Sequence, residues 1–287
     1  MSIKIAVIPA AGVGTRFLPT TKAVPKELLP LLDKPLIQYA VEEAVASGIQ
    51  RVILVTSPGK EALERYFEPD IALESFLIDK SSLDLLEEVR RVTSLVEMSY
   101  VEQKEPLGLG HAVLTAKNLV GDEPFAIMLP DDVIQSTEPA LRQMIEVYRR
   151  RGGGVIAVEE VPPDRVSSYG VIAPESLSNE VYRIHGLVEK PQERAPSNLA
   201  IVGRYILPPE IFGCLERTRS DAKGEIQLTD GLGLLLESQA LYGYRFSGTR
   251  HDSGTPLGLL KASIAMAVER RDTRTAILEA MKQLLPA

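Results

Sequence analysis

The sequence predicts an α/β fold in which a mostly parallel, mixed sheet is flanked by helices. Short apolar runs rich in Val and Ile alternate with longer segments whose apolar residues recur at helical spacing. This alternation is typical of successive strand–helix–strand units with parallel strands. The 287 residues, 45% of them hydrophobic, suffice for one large core. We therefore expect one domain over 1–287, with a soft boundary at the Gly152–Gly154 turn that separates residues 1–151 from 152–287.

Local patterns predict the elements of the first half. Pro35–Ser47 is predicted as a helix because Pro opens it and Gly48 follows its end. Residues 70–92 carry apolar positions at helical spacing and predict one or two amphipathic helices. The other predicted elements are strands at Ile3–Pro9, Arg51–Ser57, Met98–Glu102 and Phe125–Leu129, and helices at His111–Asn118 and Glu138–Arg151.

Beyond residue 154 the connections between predicted elements become shorter and richer in turn residues. The predicted strands are Val155–Val161, Tyr169–Ile172, Val181–Val188, Ala200–Leu207 and 241–246. Helices are predicted near 209–217 and 225–238, with a helical tail from about 256 to 285.

Composition narrows the class of protein. A net charge of −7 argues against a general nucleic-acid binder, which needs a basic face. No apolar run approaches the roughly 20 residues needed to cross a bilayer, and the N-terminus lacks the apolar core of a signal peptide. The single cysteine, Cys214, cannot form an internal disulfide. We expect a cytoplasmic protein with neither a nucleic-acid nor a membrane partner.

The most informative segment is PAAGVGTRFLPTTKAVPKELLP, residues 9–30. A buried strand runs into small residues, which let backbone N–H groups approach a ligand closely. Arg16, Lys22 and Lys26 follow within the same loop, and both cation types suit phosphate oxygens. The glycines alone would favour an ordinary strand-to-helix turn. Together with Arg16 and Lys26 in an acidic protein, they favour a phosphate-binding loop.

Two similar motifs do not fit this loop. Residues 12–17 begin like the dinucleotide-binding fingerprint, but Phe17 stands where the third glycine is needed, and Pro19 prevents a long helix. The P-loop signature also fails, because no Gly-Lys-Ser/Thr follows four residues after a glycine. A nicotinamide-dependent oxidoreductase and a P-loop NTPase are therefore disfavoured.

The same segment resembles the signature of the sugar-nucleotide pyrophosphorylases. Its Pro-Lys-Glu form at 25–27 is similar to the bacterial-type UTP–glucose-1-phosphate uridylyltransferases. Further similar segments occur in order along the chain: DKPLIQYAVEEA (33–44), GLGHAV (108–113), LPDD (129–132), YGVI (169–172), VEKP (188–191), NLAIVGRYIL (198–207), GEIQLTD (224–230) and HDSGTPLG (251–258). The resemblance implies a Rossmann-like, glycosyltransferase-A-like nucleotidyltransferase architecture, with a nucleotide-binding half (1–151) and a sugar-phosphate-binding half (152–287).

The resemblance also implies a role for individual residues. Arg16 would hold the β- and γ-phosphates, Lys26 would lie by the α-phosphate, and Lys190 would meet the sugar phosphate. Gln103 and the backbone at Gly108 would read the pyrimidine edge. The rest of the implied nucleotide site is Ala10, Ala11, Gly12, Gly14, Thr15 and Glu27. The implied sugar site is Gly170, Glu189 and Val202.

Asp131 and Asp252 would bind the metal, and Mg²⁺ is the expected cofactor. Two carboxylates suffice for Mg²⁺, which takes hard oxygen ligands and shares them with substrate phosphates. Asp131 could instead cap a turn, but acidic residues at the end of a buried strand face the ligand crevice of α/β sheets. The roles of Asp132 and Ser253 stay open.

The chemistry expected from these residues is nucleotidyl transfer between UTP and glucose 1-phosphate. The attacking phosphate oxygen is already anionic, so no general base is required, and His111 and His185 are read as structural. Catalysis would rest on positioning and charge neutralisation. The alternatives are the same reaction with dTTP, since a pocket distinguishes one methyl group by only about 1–3 kcal/mol, and a non-catalytic nucleotide-sugar-binding regulator. A homodimer or homotetramer is expected, with residues 70–92 and the C-terminal helices as candidate interfaces.

Overall fold

Helices and strands alternate along the first half of the chain, as the apolar pattern predicts. The computed structural model describes residues 2–284. The strands are β1 (Ile5–Pro9), β2 (Pro30–Leu31), β3 (Lys34–Pro35), β4 (Arg51–Thr56), β5 (Glu97–Glu102), β6 (Phe125–Met128), β7 (Asp132–Gln135), β8 (Gly154–Glu160), β9 (Gly170–Ser176), β10 (Val181–Glu189), β11 (Leu199–Leu207), β12 (Leu241–Arg245) and β13 (Thr249–Asp252). The α-helices are α1 (Leu36–Ala46), α2 (Glu61–Phe67), α3 (Ile71–Asp79), α4 (Leu83–Thr93), α5 (Leu109–Thr115), α6 (Lys117–Val120), α7 (Ala140–Arg151), α8 (Ile211–Arg217), α9 (Leu228–Leu235), α10 (Pro256–Glu269) and α11 (Arg274–Leu284).

Within residues 2–284, nine strands form the central sheet in the order β5-β4-β1-β6-β11-β8-β12-β10-β9. Strands β5, β4, β1 and β6 run parallel, and so do β8 and β12. Strand β11 is antiparallel to both β6 and β8, and β10 is antiparallel to β12 and β9. The second half is therefore more antiparallel than the predicted mostly parallel sheet. A short connection such as the one between β9 and β10 permits a hairpin but not a parallel crossover.

Two apolar layers cover the faces of this sheet. The central strands are buried on both faces, so they read as continuous apolar runs: Ala6, Val7 and Ile8 in β1 are 0% exposed. One layer packs α5, α8 and α9 against the sheet, and the other packs α1 and α7. Strands from both halves of the chain thus share one sheet and its two cores, which fixes the position of the loops at its edge.

Five short elements were not predicted from the sequence, and two of them are the paired strands β2 and β3. Helix α2 precedes the two helices that residues 70–92 form, α3 and α4, and Asp70 caps α3 by accepting the Leu73 N–H at 3.0 Å. Strands β7 and β13 form a separate antiparallel ribbon. The predicted C-terminal helix is divided into α10 and α11, and residue 285 lies outside the described residues.

No helix among residues 2–284 combines the length and the hydropathy that a bilayer crossing requires.

Candidate active site

A cleft of about 440 Å³ lies where β1 and β6 end at one edge of the sheet. This is the edge at which open α/β sheets bind their ligands. Most of the predicted nucleotide-binding residues line it. The lining comprises Pro9, Ala11, Gly12, Val13, Gly14, Thr15, Lys26, Glu27, Gln103, Pro106, Gly108, Leu109, Ala112, Leu129, Asp131 and Glu225.

The glycine-rich loop leaves β1 and turns sharply at Gly14, whose φ of 72° suits glycine. Thr21 fixes this turn by donating from Oγ1 to the Gly14 carbonyl oxygen at 2.9 Å. Thr15 and Arg16 then begin a short 3-10 turn over Thr15–Phe17. No long helix starts here, in agreement with the exclusion of a dinucleotide-binding fingerprint.

A buried lysine, Lys60, is hydrogen-bonded to the backbone of this loop. No sequence motif singles it out. Lys60 donates to the carbonyl oxygens of Ala10 and Gly12, both at 2.6 Å, and to both carboxylate oxygens of Glu27 at 3.1 and 2.9 Å. Glu27 is 1% exposed and Lys60 is 8% exposed. Burial lowers the pKa of Lys60 and raises the pKa of Glu27, while their mutual attraction opposes both shifts. Glu27, predicted to bind nucleotide, therefore has its carboxylate committed to Lys60.

Replacing Lys60 with Met is expected to lower the free energy of unfolding by about 3–5 kcal/mol, because Glu27 would be left buried without its partner. Urea denaturation followed by circular dichroism measures this. The double variant Lys60→Met with Glu27→Leu removes both charges and should recover most of the stability. Both the single and the double variant should bind nucleotide more weakly than the wild-type protein, because the carbonyl oxygens of Ala10 and Gly12 no longer accept from Lys60. Full recovery of binding in the double variant would contradict a positioning role for Lys60.

Lys26, at the end of the same loop, bonds Asp131, with 2.7 Å between Nζ and Oδ2. Burial opposes the charge of each group, but the ion pair outweighs it. The attraction of Asp131 and Glu27 raises the pKa of Lys26, and Lys26 lowers the pKa of Asp131. Both side chains keep about a quarter of their surface exposed to the cleft, so a substrate phosphate can reach either one.

The two predicted metal ligands converge. The β7–β13 ribbon pairs Asp252 with Asp132 in register, and the Ser253 N–H donates to the Asp131 carbonyl oxygen at 2.8 Å. A methyl group placed on Gly254 would lie 3.2 Å from Asp252 Oδ1 and 3.3 Å from Asp131 Oδ2. The two carboxylate oxygens are therefore separated by no more than the sum of these distances. The same point is 3.5 Å from Arg16 Nη1.

The reason for this convergence differs from the predicted one. Asp131 follows the sheet strand β6, as expected, but Asp252 does not directly follow the strand predicted at 241–246. It ends β13, which is too short and too polar to be recognised as a strand. Backbone hydrogen bonds between β7 and β13 bring the two carboxylates together.

Asp132 belongs to a buried polar network next to Asp131 and Asp252. Its Oδ2 accepts the Gly203 N–H at 2.8 Å and its Oδ1 accepts from Arg250 Nε at 2.5 Å. Arg204, 1% exposed, donates to the carbonyl oxygens of Asp132 and Leu129 and pairs with Glu43 at 2.8 Å. Arg250 also lies 3.5 Å from Asp252. Asp132 is thus turned away from the cleft and holds the segments that carry Asp131 and Asp252.

Ser253 is fully buried between the segments that carry Asp131 and Asp252. Its backbone N–H is bonded to Asp131, while its hydroxyl has no hydrogen-bond partner among the described residues. The small side chain fits a tightly packed turn, and the structure shows no further contact that would give the hydroxyl a role.

Gln103 and Gly108 both line the cleft and contact each other. The Gln103 side chain is buried, and its Nε2 donates to the Gly108 carbonyl oxygen at 3.1 Å. Gly108 has a φ of 92°, and a Cβ there would lie 2.9 Å from the Ile226 carbonyl oxygen. A glycine is therefore needed because the 225–226 backbone crosses directly over this turn.

Two of the three predicted sugar-binding residues, Gly170 and Glu189, form a second group near Asp252. Glu189 Oε2 accepts from Thr229 Oγ1 at 2.7 Å and lies 3.0 Å from the Cβ position of Gly170. Lys190 bonds Glu189 Oε1 at 2.9 Å and is 54% exposed. Tyr169 contacts both Lys190 and Asp252. Its backbone carbonyl accepts the Lys190 N–H, and its hydroxyl lies 3.3 Å from Asp252 Oδ2.

Three predicted residues lie outside these direct contacts. The Ala10 side chain is buried, and its N–H donates to Val55 in the sheet. Val202 is 1% exposed and packs in the core, so its side chain does not face the cleft. Arg16 does not line the cleft, and its guanidinium group instead lies near the carboxylates of Asp131 and Asp252.

Most of the supporting residues could not be selected from the sequence. Lys60, Arg204 and Arg250 are single cations in otherwise ordinary segments, and their partners are distant in sequence. Thr229 was within the GEIQLTD segment but had no chemistry to distinguish it. Charged residues are rarely buried unless they are paired, and pairing becomes visible only in the folded chain.

Asp131, which lines the open cleft, and the nearby Asp252 offer hard oxygen donors. Among residues 2–284 no group of three or more His, Cys, Asp or Glu side chains could hold a metal ion. The chemistry of two carboxylates fits Mg²⁺, which prefers oxygen ligands and takes the others from water and a substrate.

Comparisons with known proteins agree with this geometry. Residues 5–269 match the family model described as nucleotidyl transferase. The UTP–glucose-1-phosphate uridylyltransferase of Bacillus subtilis is 45% identical over 99% of this chain and 97% of its own length, and one from Staphylococcus epidermidis is 48% identical over 98% of each chain. A UTP-bound UGPase from Acinetobacter baumannii superposes with a TM-score of 0.92 at 40% identity, covering 99% of this chain and all of the other. A UDP-glucose pyrophosphorylase complexed with UDP-glucose gives 0.86 at 45% identity, covering 93% and 100%. The chain therefore belongs to the nucleotidyl transferase family.

Proposed function

We propose that this protein transfers the uridylyl group of UTP to glucose 1-phosphate and releases pyrophosphate. The observation that carries the proposal is the convergence of Arg16, Lys26, Asp131 and Asp252 at the rim of the nucleotide cleft. The names of the relatives, which match nearly the whole chain, support the choice of substrates.

The reaction joins two anions, so charge neutralisation is its main requirement. A phosphate oxygen of glucose 1-phosphate attacks the α-phosphorus of UTP, and the bond between the α-phosphorus and the bridging oxygen to the β-phosphate breaks. In our proposal, Lys26 lies by the α-phosphate, Arg16 meets the leaving pyrophosphate and Lys190 meets the sugar phosphate. These cations hold the reacting groups in line and offset the charge that develops. A Mg²⁺ ion held by Asp131 and Asp252 would supply further charge neutralisation between the substrates.

The remaining assignments stay part of the proposal. The nucleotide half is 1–151 and the sugar-phosphate half is 152–287, with Gly170 and Glu189 on the sugar. Thr229, which bonds Glu189, joins them in our proposal, whereas the buried Val202 side chain does not. The expected homodimer or homotetramer is supported by exposed apolar side chains on α3, α4 and α10, including Phe76, Leu83 and Leu257, which are 55–63% exposed. The cytoplasmic location remains a prediction from the sequence.

A grid of UTP, dTTP, CTP, ATP and GTP against several sugar 1-phosphates, with and without Mg²⁺, tests the proposal by pyrophosphate release. The expected result is highest activity with UTP and glucose 1-phosphate, less with dTTP and little with either purine. Higher activity with dTTP would make the protein a thymidylyltransferase. Nucleotide-sugar binding without pyrophosphate release from any pair would identify a non-catalytic regulator.

A further inference from the structure

His111 lies on α5 beside the nucleotide cleft and has no assigned role in the reaction. Its Nδ1 is 2.8 Å from Nε2 of Gln103. The same Nε2 donates to the Gly108 carbonyl oxygen at 3.1 Å. A carbonyl oxygen can only accept, so the Gln103 amide must present its NH₂ group to this side.

The two contacts use both N–H groups of the Gln103 amide. His111 Nδ1 must then accept, which places the imidazole proton on Nε2. Gln103 is 5% exposed and lines the cleft, so the orientation of its amide is held in a confined space. His111 and Gly108 therefore hold the NH₂ group of the Gln103 amide in place by two hydrogen bonds.

The opposite end of the amide is its oxygen, and no residue within 2–284 donates a hydrogen bond to Gln103 Oε1. An acceptor presented to a base distinguishes the pyrimidines by their ring nitrogen. N3 of uracil or thymine carries a hydrogen and can donate to it, whereas N3 of cytosine is an acceptor and would face it unfavourably.

We propose that His111 is a positioning residue for base selection, which holds the Gln103 oxygen toward the cleft and so favours uracil over cytosine. The proposal rests on the proposed function in one respect, namely that the base of the triphosphate lies against Gln103. His111 itself touches no substrate in this scheme and takes part in no proton transfer.

The test uses the dissociation constants of UTP and CTP, measured by calorimetry on the full chain. In His111→Leu the ratio of the two constants should fall about tenfold, the loss expected when one well-placed hydrogen bond no longer holds the amide. His111→Asn should keep the ratio within about threefold, because Asn Oδ1 can occupy the place of Nδ1 and accept from Gln103. Unfolding midpoints of both variants show whether a change in the ratio reflects selection rather than loss of folded protein.

Two further variants separate the possible failures. His185→Ala removes an exposed histidine that pairs with Glu175 at 2.7 Å and should leave the ratio unchanged. Gln103→Leu should abolish the preference for UTP. Loss of selection in Gln103→Leu but not in His111→Leu would overturn the role of His111. An unchanged ratio in Gln103→Leu would place the base elsewhere and so contradict the base assignment of the proposed function. Equal loss in His111→Leu and His111→Asn would overturn the acceptor role of Nδ1.

Discussion

Asp131→Asn and Asp252→Asn are each expected to reduce turnover by about 10²–10³-fold, the usual effect of losing one preorganised electrostatic contact at the reacting centre. Both carboxylates lie within 3.3 Å of one point beside Gly254, and in our proposal both are needed to share a cation between the substrates. Pyrophosphate release over a range of Mg²⁺ concentrations measures the effect. Asp272→Asn, which changes an exposed aspartate paired with Arg270, is the matched control and should keep full activity.

The change in the free energy of unfolding should be small for Asp131→Asn and Asp252→Asn and large for Asp132→Asn. The Lys26–Asp131 pair is partly exposed and Asp252 is 41% exposed, so their loss should change the free energy of unfolding by only about 1 kcal/mol. Asp132→Asn would leave Arg250, 8% exposed, without its main counter-charge and should cost about 3–5 kcal/mol. Full Mg²⁺-dependent activity in both Asp131→Asn and Asp252→Asn, or full activity in excess EDTA, would contradict the shared metal site. Activity retained in Asp252→Asn alone would leave Asp131 as the only protein ligand.

Arg16→Ala and Lys26→Ala should each lower kcat by about 10²-fold or more, because both cations are placed where charge develops in the reaction. Lys22→Ala is the control on the same loop. Lys22 is exposed and does not line the cleft, so it should lose less than about threefold in kcat, as screened surface charges do. Steady-state kinetics on folded variants provide the comparison. Wild-type kinetics in Arg16→Ala or Lys26→Ala would contradict the assignment of that residue.

The sequence was sufficient to predict most of the residues that line the cleft at the end of β1. The small residues after β1 and the cations of residues 16–26 are adjacent in sequence, so one buried strand and one loop explain their position. Gln103 and Gly108 needed the resemblance in addition, because an amide and a glycine carry no distinctive chemistry by themselves. The structure places both in the cleft.

The supporting contacts could not be predicted, because they join residues far apart in sequence. Lys60 meets Glu27 across 33 positions, and Arg204 meets Glu43 across 161. The β7–β13 ribbon escaped prediction because four residues such as TRHD show no apolar alternation. In each case a residue or strand distant in sequence determines the local conformation. The spacing of apolar residues indicates only which face of a helix or strand is buried.

The hydrogen bonds of Lys60 fix the direction of two peptide dipoles in the glycine-rich loop. In a trans peptide the C=O and N–H bonds point in opposite directions. Lys60 draws the carbonyls of Ala10 and Gly12 toward itself, so the N–H groups of Ala11 and Val13 point away from it. Both residues line the cleft. An anion approaching the loop therefore meets the positive ends of two oriented peptide units, while the ammonium group that orients them stays buried and neutralised by Glu27.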